Sequence, residues 1–348
     1  MRTLSGKQLA GLLAAVMLAI SLGLASLNSA PGQDDAVGFA VLEPGASALE
    51  SSLQFKAVSL LSLADRSFTA EAALHLSWPE QLQQQLEATG RSVSELVDFA
   101  NRIDNNDFRV IPFSSKPLRA ADGYCSQNFE VSGAFHLGEQ DYRRFPFIRL
   151  QLPLQLQRRV VEPADSRIRF GLRQGALKLP TASSSREVDG YLLKALRWKQ
   201  PSTQLRDSVV TVATYVPGFW SAFCIYLIPW GAVFTLVMIA PWLDTDFDNS
   251  RLAVPTSALL ALVFIQDGIH NALPALNYLT LIDKLYMFAY CCAVVEFLVF
   301  TLSQNYVNRN KQALDPQRKR NIARVDTAFQ LSSIAGVVII LVLNAIQS

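Results

Sequence analysis

Charge is scarce in this chain of 348 residues. Only 17% of them are Asp, Glu, Lys or Arg, against about 25% in soluble domains. The net charge is +2, which offers no basic surface, so no nucleic-acid partner is expected. Cysteine is sparse too, with four residues in all. Cys224, Cys291 and Cys292 fall in apolar runs, and Cys125 stands alone in the polar half. No intrachain disulfide can close within that half. The histidines, His75, His136 and His270, are far apart in sequence and lack metal-ligand spacing. A nucleophile elbow, a phosphate loop and a carboxylate pair in catalytic context are also missing. The chain therefore reads as no enzyme, with no metal or cofactor.

What it has instead is apolar sequence. Half of the residues are hydrophobic and the mean hydropathy is +0.22, which fits a chain that is part membrane and part aqueous. Residues 1–30 carry Arg2 and Lys7, an apolar run from Leu9 to Leu24, and small residues at Gly23, Ala25, Ser29 and Ala30. This is the pattern of a secretory signal peptide. The alternative is an uncleaved anchor helix, and either one exports the segment that follows. Residues 31–50 are rich in Gly, Pro, Ala and Asp and read as a linker.

Residues 51–216 carry period-2 patterns. Phe68, Ala70, Ala72, Leu74, Leu76 and Trp78 alternate with mostly polar neighbours, as do Ile148, Leu150, Leu152, Leu154 and Leu156. Such alternation predicts antiparallel strands with one apolar face, packed as a β-sandwich. Residues 80–104 predict a helix, with Leu82, Leu86, Val93, Leu96 and Phe99 on its apolar side.

Residues 217–348 hold four apolar segments, at about 219–243, 252–269, 281–302 and 325–346. Each is long enough to cross a bilayer. The loop 303–324 contains Arg309, Lys311, Arg318, Lys319, Arg320 and Arg324 against Asp315 alone, which places it in the cytoplasm. Four crossings return both ends of the membrane domain to the outside, in agreement with an exported sandwich. Pro229 should kink the first span. Pro255 fits a second helix beginning near Leu252, and argues against helix extending far before Arg251.

The second span carries a stripe. Ala253, Ser257, Leu260, Phe264, Asp267 and Asn271 fall within an arc of about 80° on a helix, and Asn249 precedes them at the inner end. A carboxylate on a membrane helix calls for a water-filled lumen or a partner on a neighbouring helix.

The same segment resembles the second and third membrane helices of pentameric ligand-gated ion channels, the Cys-loop receptor superfamily. Arg251, Ser257 with Leu260, Leu273-Pro274, Tyr278 and Ile282-Asp283 carry the likeness. Phe55–Glu80 resembles the first two strands of that family's ligand-binding domain, and Val131–Leu156 the region around its signature loop. Without the disulfide, the chain looks like a prokaryotic-type member. It departs from the family at Ile148, where an acid is usual, at Leu150, where Gln is usual, and at Pro217–Trp220, where a basic residue is usual.

The resemblance implies an extracellular all-β immunoglobulin-like sandwich followed by a four-helix transmembrane domain, in a homopentamer. It implies a multi-pass protein of the inner (plasma) membrane, with lipid bilayer around it and its N-terminal domain extracytoplasmic. The stripe then forms pore-lining rings, with Leu260 and Phe264 as an apolar gate. Asp267 forms an acidic ring that favours inorganic cations as permeant ions. Coupling between ligand domain and pore falls to Asp65, Tyr142, Arg144, Phe145, Pro146, Phe147 and Pro274. The family's aromatic ligand box is thin here, leaving His75, Phe108 and Trp198 as candidates. A primary amine, an anion, a proton or no soluble agonist all stay open. The alternative reading is a non-conducting receptor or assembly protein of the same fold.

Overall fold

The computed structural model describes residues 14–15, 47–103, 107–159, 170–174, 187–199, 208–242, 248–310 and 316–346. Most of the predicted signal segment, the linker as far as residue 46 and residues 200–207 lie outside the described residues. The chain divides into two compact units. One comprises Gln33–Gln140 and Arg149–Gly218, and the other includes Asp141–Ile148 and Phe219–Ser348.

The first unit is built of two sheets. Strands β1 (Ser47–Ser62), β2 (Ser67–Pro79), β4 (Arg109–Pro112), β5 (Leu118–Arg119), β6 (Tyr124–His136) and β8 (Phe170–Gln174) form one. Its order is β4-β6-β2-β1-β8, with β5 also on β6. Strands β3 (Val97–Phe99), β7 (Leu150–Arg158), β9 (Glu187–Val188), β10 (Tyr191–Lys199) and β11 (Ser208–Pro217) form the other, ordered β3-β7-β11-β10-β9. Only the β1–β8 pair is parallel among those described. β1 opens at Ser47, so the segment read as a linker ends earlier than the sequence suggested.

Alternation decides which side chains form the core. On β2, Phe68, Ala70, Ala72, Leu74, Leu76 and Trp78 are all buried, while Glu71 and His75 are exposed. On β7, Leu150, Leu152, Leu154 and Leu156 are buried, and β11 sets Tyr215 opposite Leu150 and Ala213 opposite Leu152. Each buried Leu stabilises the unit by on the order of 2 kcal/mol. Cys125 is buried as a free thiol, and burial pushes its pKa up.

Residues 80–104 are not one helix. Helix α1 spans Glu80–Thr89 and packs through Leu82 and Leu86. Gly90 then adopts φ +67°, a left-handed cap that L side chains resist, and the helix ends there. Its backbone N–H donates back to the carbonyls of Glu87 and Leu86. A short 3-10 turn at Val93–Glu95 and strand β3 follow. The apolar spacing ran on past Gly90, but the glycine overrode it. Trp78 Nε1 donates to Gln83 Oε1 at 3.0 Å, which satisfies a buried indole and fastens α1 to β2.

Among the described residues of the second unit, four helices are long and apolar enough to cross a membrane, marking a multi-pass membrane protein by length and composition. Helix α2 spans Phe219–Trp242. Its Phe223–Leu227 segment is π-helical, and the Ile228 N–H donates to the Phe223 carbonyl five residues back. Pro229 follows directly and lacks the amide a regular turn would need, so the wider turn sits at the predicted kink. Trp220 and Trp242, near the two ends of α2, are 73% and 77% exposed. Indoles at both ends of an apolar span suit the two interfaces of a bilayer.

Helix α3 spans Asp248–Asn271, α4 Leu281–Asn310 and α5 Pro316–Ile346. All three exceed the predicted bounds. α3 begins before Arg251, so Pro255 lies within the helix rather than in its first turn, contrary to expectation. Most of the predicted 303–324 loop is helix, leaving 311–315 outside the described residues. Polar residues such as Gln304, Arg318 and Lys319 end a hydropathy run without ending a helix. A 30-residue helix is about 45 Å long, more than the roughly 30 Å hydrocarbon core. α4 is the central helix of the unit, with Ile282, Leu285, Tyr286, Phe288, Ala289, Cys292 and Ala293 fully buried.

Candidate pore face and its outer end

Helix α3 has two unlike sides. Ala258, Leu262 and Ile269 are buried. The described side chains of the predicted stripe, Ala253, Ser257, Leu260, Phe264, Asp267 and Asn271, are all exposed. Leu260 is 59% and Phe264 69% exposed. The side chain of Asn249 lies outside the described residues. Asn271 Nδ2 donates to Asp267 Oδ2 at 3.3 Å, one turn apart on this face. Tyr290 on α4 donates its hydroxyl to Gln266 Oε1 at 2.6 Å, so Gln266 is held by a neighbouring helix and Asp267 is left on the open face.

The C-terminal end of α3 is tied to the start of α4. Thr280 and Asp283 form a reciprocal cap. The Thr280 N–H and Oγ1 donate to Asp283 Oδ2 at 3.0 and 2.8 Å, and the Asp283 N–H donates to Thr280 Oγ1 at 3.2 Å. The other carboxylate oxygen lies 2.8 Å from His270 Nε2. One buried carboxylate thus joins the last turn of α3 to the first turn of α4. His270, which lacks metal-ligand spacing in sequence, is thus held by a carboxylate. The T-x-x-D pattern at 280–283 carried the capping signal, while the His270 contact needs the fold. No cluster of three metal-ligating side chains occurs among the described residues.

The loop Asp141–Ile148 joins β6 to β7 along the chain, yet it belongs to the helical unit. The Leu281 N–H donates to the Arg143 carbonyl at 2.8 Å. The Tyr142 N–H donates to the Tyr278 hydroxyl at 3.0 Å. The Arg143 guanidinium lies 5.1 Å from the Tyr278 ring centre. Phe145 meets Tyr226 edge-on at 4.8 Å, and Phe147 stacks on Phe219 at 5.7 Å. Pro146 is buried, Arg144 exposed, and Pro274 buried in the segment between α3 and α4. Tyr142, Phe145, Phe147 and Pro274, grouped by resemblance, therefore share one unit. Arg143, Tyr278 and Tyr226 complete that contact, and the coupling set had not included them.

The remaining candidates sit in the two-sheet unit, each with different neighbours. Asp65 closes the β1–β2 turn, accepting a hydrogen bond from Ser62 Oγ at 2.7 Å. His75 Nδ1 lies 2.7 Å from Asn128 Oδ1 on β6. Phe108 packs edge-on against Phe99 and Phe135. Trp198 pairs in register with Thr211, and its side chain lies outside the described residues.

No model of a protein family matches the chain, and no curated protein matches it either.

Proposed function

We propose that this chain is a subunit of a cation-selective ligand-gated ion channel of the pentameric family. Copies of α3 line the pore, and an exported immunoglobulin-like sandwich controls it. The observation that carries the reading is the open face of α3. On a membrane-length helix it presents Ser257, Asp267 and Asn271 together with Leu260 and Phe264. A carboxylate there is costly against lipid and is at home in a water-filled lumen. Repeated around a symmetry axis, Leu260 and Phe264 make apolar constrictions that close by dewetting. Asp267 supplies one carboxylate per subunit near the outer mouth, which attracts cations and repels anions. The basic residues around 309–324 favour a cytoplasmic inner end, and hence an extracytoplasmic two-sheet domain. The fastening of Asp141–Ile148 to the helices supports a route from the sheets to the pore.

The deciding experiment is recording from purified protein in planar bilayers under a sodium chloride gradient. Cation-selective unitary currents that Asp267→Asn reduces, with assembly unchanged, are expected. Bilayers that stay silent with protein correctly inserted would overturn the proposal.

A further inference from the structure

The two-sheet unit contains a cavity of about 210 Å³ that draws its lining from both sheets. It lies beside core residues such as Leu74, Leu76 and Phe99 and reaches the exposed side chains of Val110 and Arg159. Its walls are largely apolar, with three aromatic rings among them. Phe99 and Phe129 are buried, and Phe108 closes one side. Phe108 is seated there by the absence of a neighbouring side chain. A Cβ on Gly133 of β6 would come within 2.6 Å of the Phe108 ring and 3.2 Å of its Cα.

The charged lining consists of Asp98, Arg102 and Arg159. Asp98 is already occupied. Its Oδ1 accepts from Arg102 at 2.7 Å and from the Phe99 N–H at 2.8 Å. The Arg102 guanidinium also lies 5.2 Å from the Phe108 ring centre, which fixes it against the wall. Arg159 follows β7, and its backbone N–H donates to the Leu96 carbonyl at 2.8 Å. Its side chain is exposed and, among the described residues, pairs with no carboxylate. The lining thus carries one net positive charge beside an apolar wall.

We infer that this cavity binds a small organic carboxylate with a flat apolar body, its carboxylate on Arg159 and its ring against the apolar wall that Phe99, Phe108 and Phe129 help to form. A planar guanidinium suits a carboxylate through two parallel N–H···O bonds. The volume lies below the roughly 300–1,000 Å³ of drug-sized pockets, so the ligand is of benzoate size. The site lies within a single chain and is read by binding alone, so its test is independent of whether the pore conducts.

Titration calorimetry of the full-length protein in detergent, with benzoate, benzamide and benzylamine as probes, tests this. Benzoate should bind saturably at one site per chain, and benzamide and benzylamine at least tenfold more weakly. Arg159→Gln, a change at an exposed side chain, should weaken benzoate at least tenfold while leaving the melting temperature of the free protein unchanged. Gly133→Ala should weaken all three probes by displacing Phe108. The inference is overturned if benzoate shows no saturable binding, if benzamide binds as tightly, or if Arg159→Gln leaves benzoate affinity unchanged.

Discussion

From Leu331 to Ile346, α5 exposes Leu331, Ile334, Ala335, Val338, Leu341, Val342, Ala345 and Ile346, without one polar side chain. From Ser257 to Asn271, α3 exposes Ser257, Leu260, Val263, Phe264, Asp267, Gly268, His270 and Asn271. Both helices are membrane-length, and both leave large apolar groups uncovered in one chain. The proposed function gives them different solvents. The α5 face matches hydrocarbon at every exposed position. The α3 face mixes apolar rings with hydrogen-bonding groups, a surface suited to water that can be admitted or expelled. Exposed apolar area is thus ambiguous in a membrane chain, and the polar residues interleaved with it carry the information.

The sharpest way to break this contrast is to invert the charge on the α3 face. A tenfold salt gradient corresponds to 1.36 kcal/mol, or about 59 mV at 2.3 kcal/mol per 100 mV. Wild-type reversal potentials should lie toward the cation limit. Asp267→Lys should carry them through zero toward the chloride limit, and Asp267→Asn only part of the way. Unchanged reversal potentials in both variants, with normal oligomers, would remove Asp267 from the ion path.

Polar substitution on each face gives the next largest effect. Leu260→Ser or Phe264→Ser should raise resting conductance several-fold by wetting the constriction. Val338→Ser on α5 should leave conductance unaltered. Equal responses from the two helices would erase the distinction between them.

The buried sides of the same helices make a smaller, structural prediction. A Cβ on Gly336 of α5 would meet the Phe288 ring at 2.3 Å, and Phe288 is fully buried. Gly336→Ala should therefore destabilise the unit by about 1–3 kcal/mol, read as a lower melting temperature in detergent. Smallest of all, Thr280→Val removes both hydroxyl bonds of the α4 cap and should cost about 1 kcal/mol by the same measurement. A melting temperature unchanged in Thr280→Val would mean that His270 and the residue-280 amide hold Asp283 in place without the hydroxyl.

Sequence reading served local periodicity best. The β2 and β7 alternation named the buried residues correctly because strand geometry is set by near neighbours and one apolar face. It failed at Gly90, where one residue's backbone freedom outweighed an apolar spacing that continued beyond it. It also clipped α4 and α5, since hydropathy marks the membrane-compatible part of a helix and not the helix. The exposed stripe of α3 was legible because its spacing is helical. The His270–Asp283 pair and the attachment of Tyr142 and Phe145 were not, since each joins residues that only packing brings together.

The attachment of Asp141–Ile148 has an evolutionary consequence. One of its hydrogen bonds joins two main-chain groups, Leu281 N–H and the Arg143 carbonyl, and the other needs only the Tyr142 amide and one phenol. The loop's share of these two bonds is main chain only, while Arg143, Phe145 and Phe147 add side-chain contacts to Tyr278, Tyr226 and Phe219. An exposed position such as Arg144 is then free to drift while the main-chain bonds persist, so part of the seam between loop and helices can outlast changes in the loop's sequence.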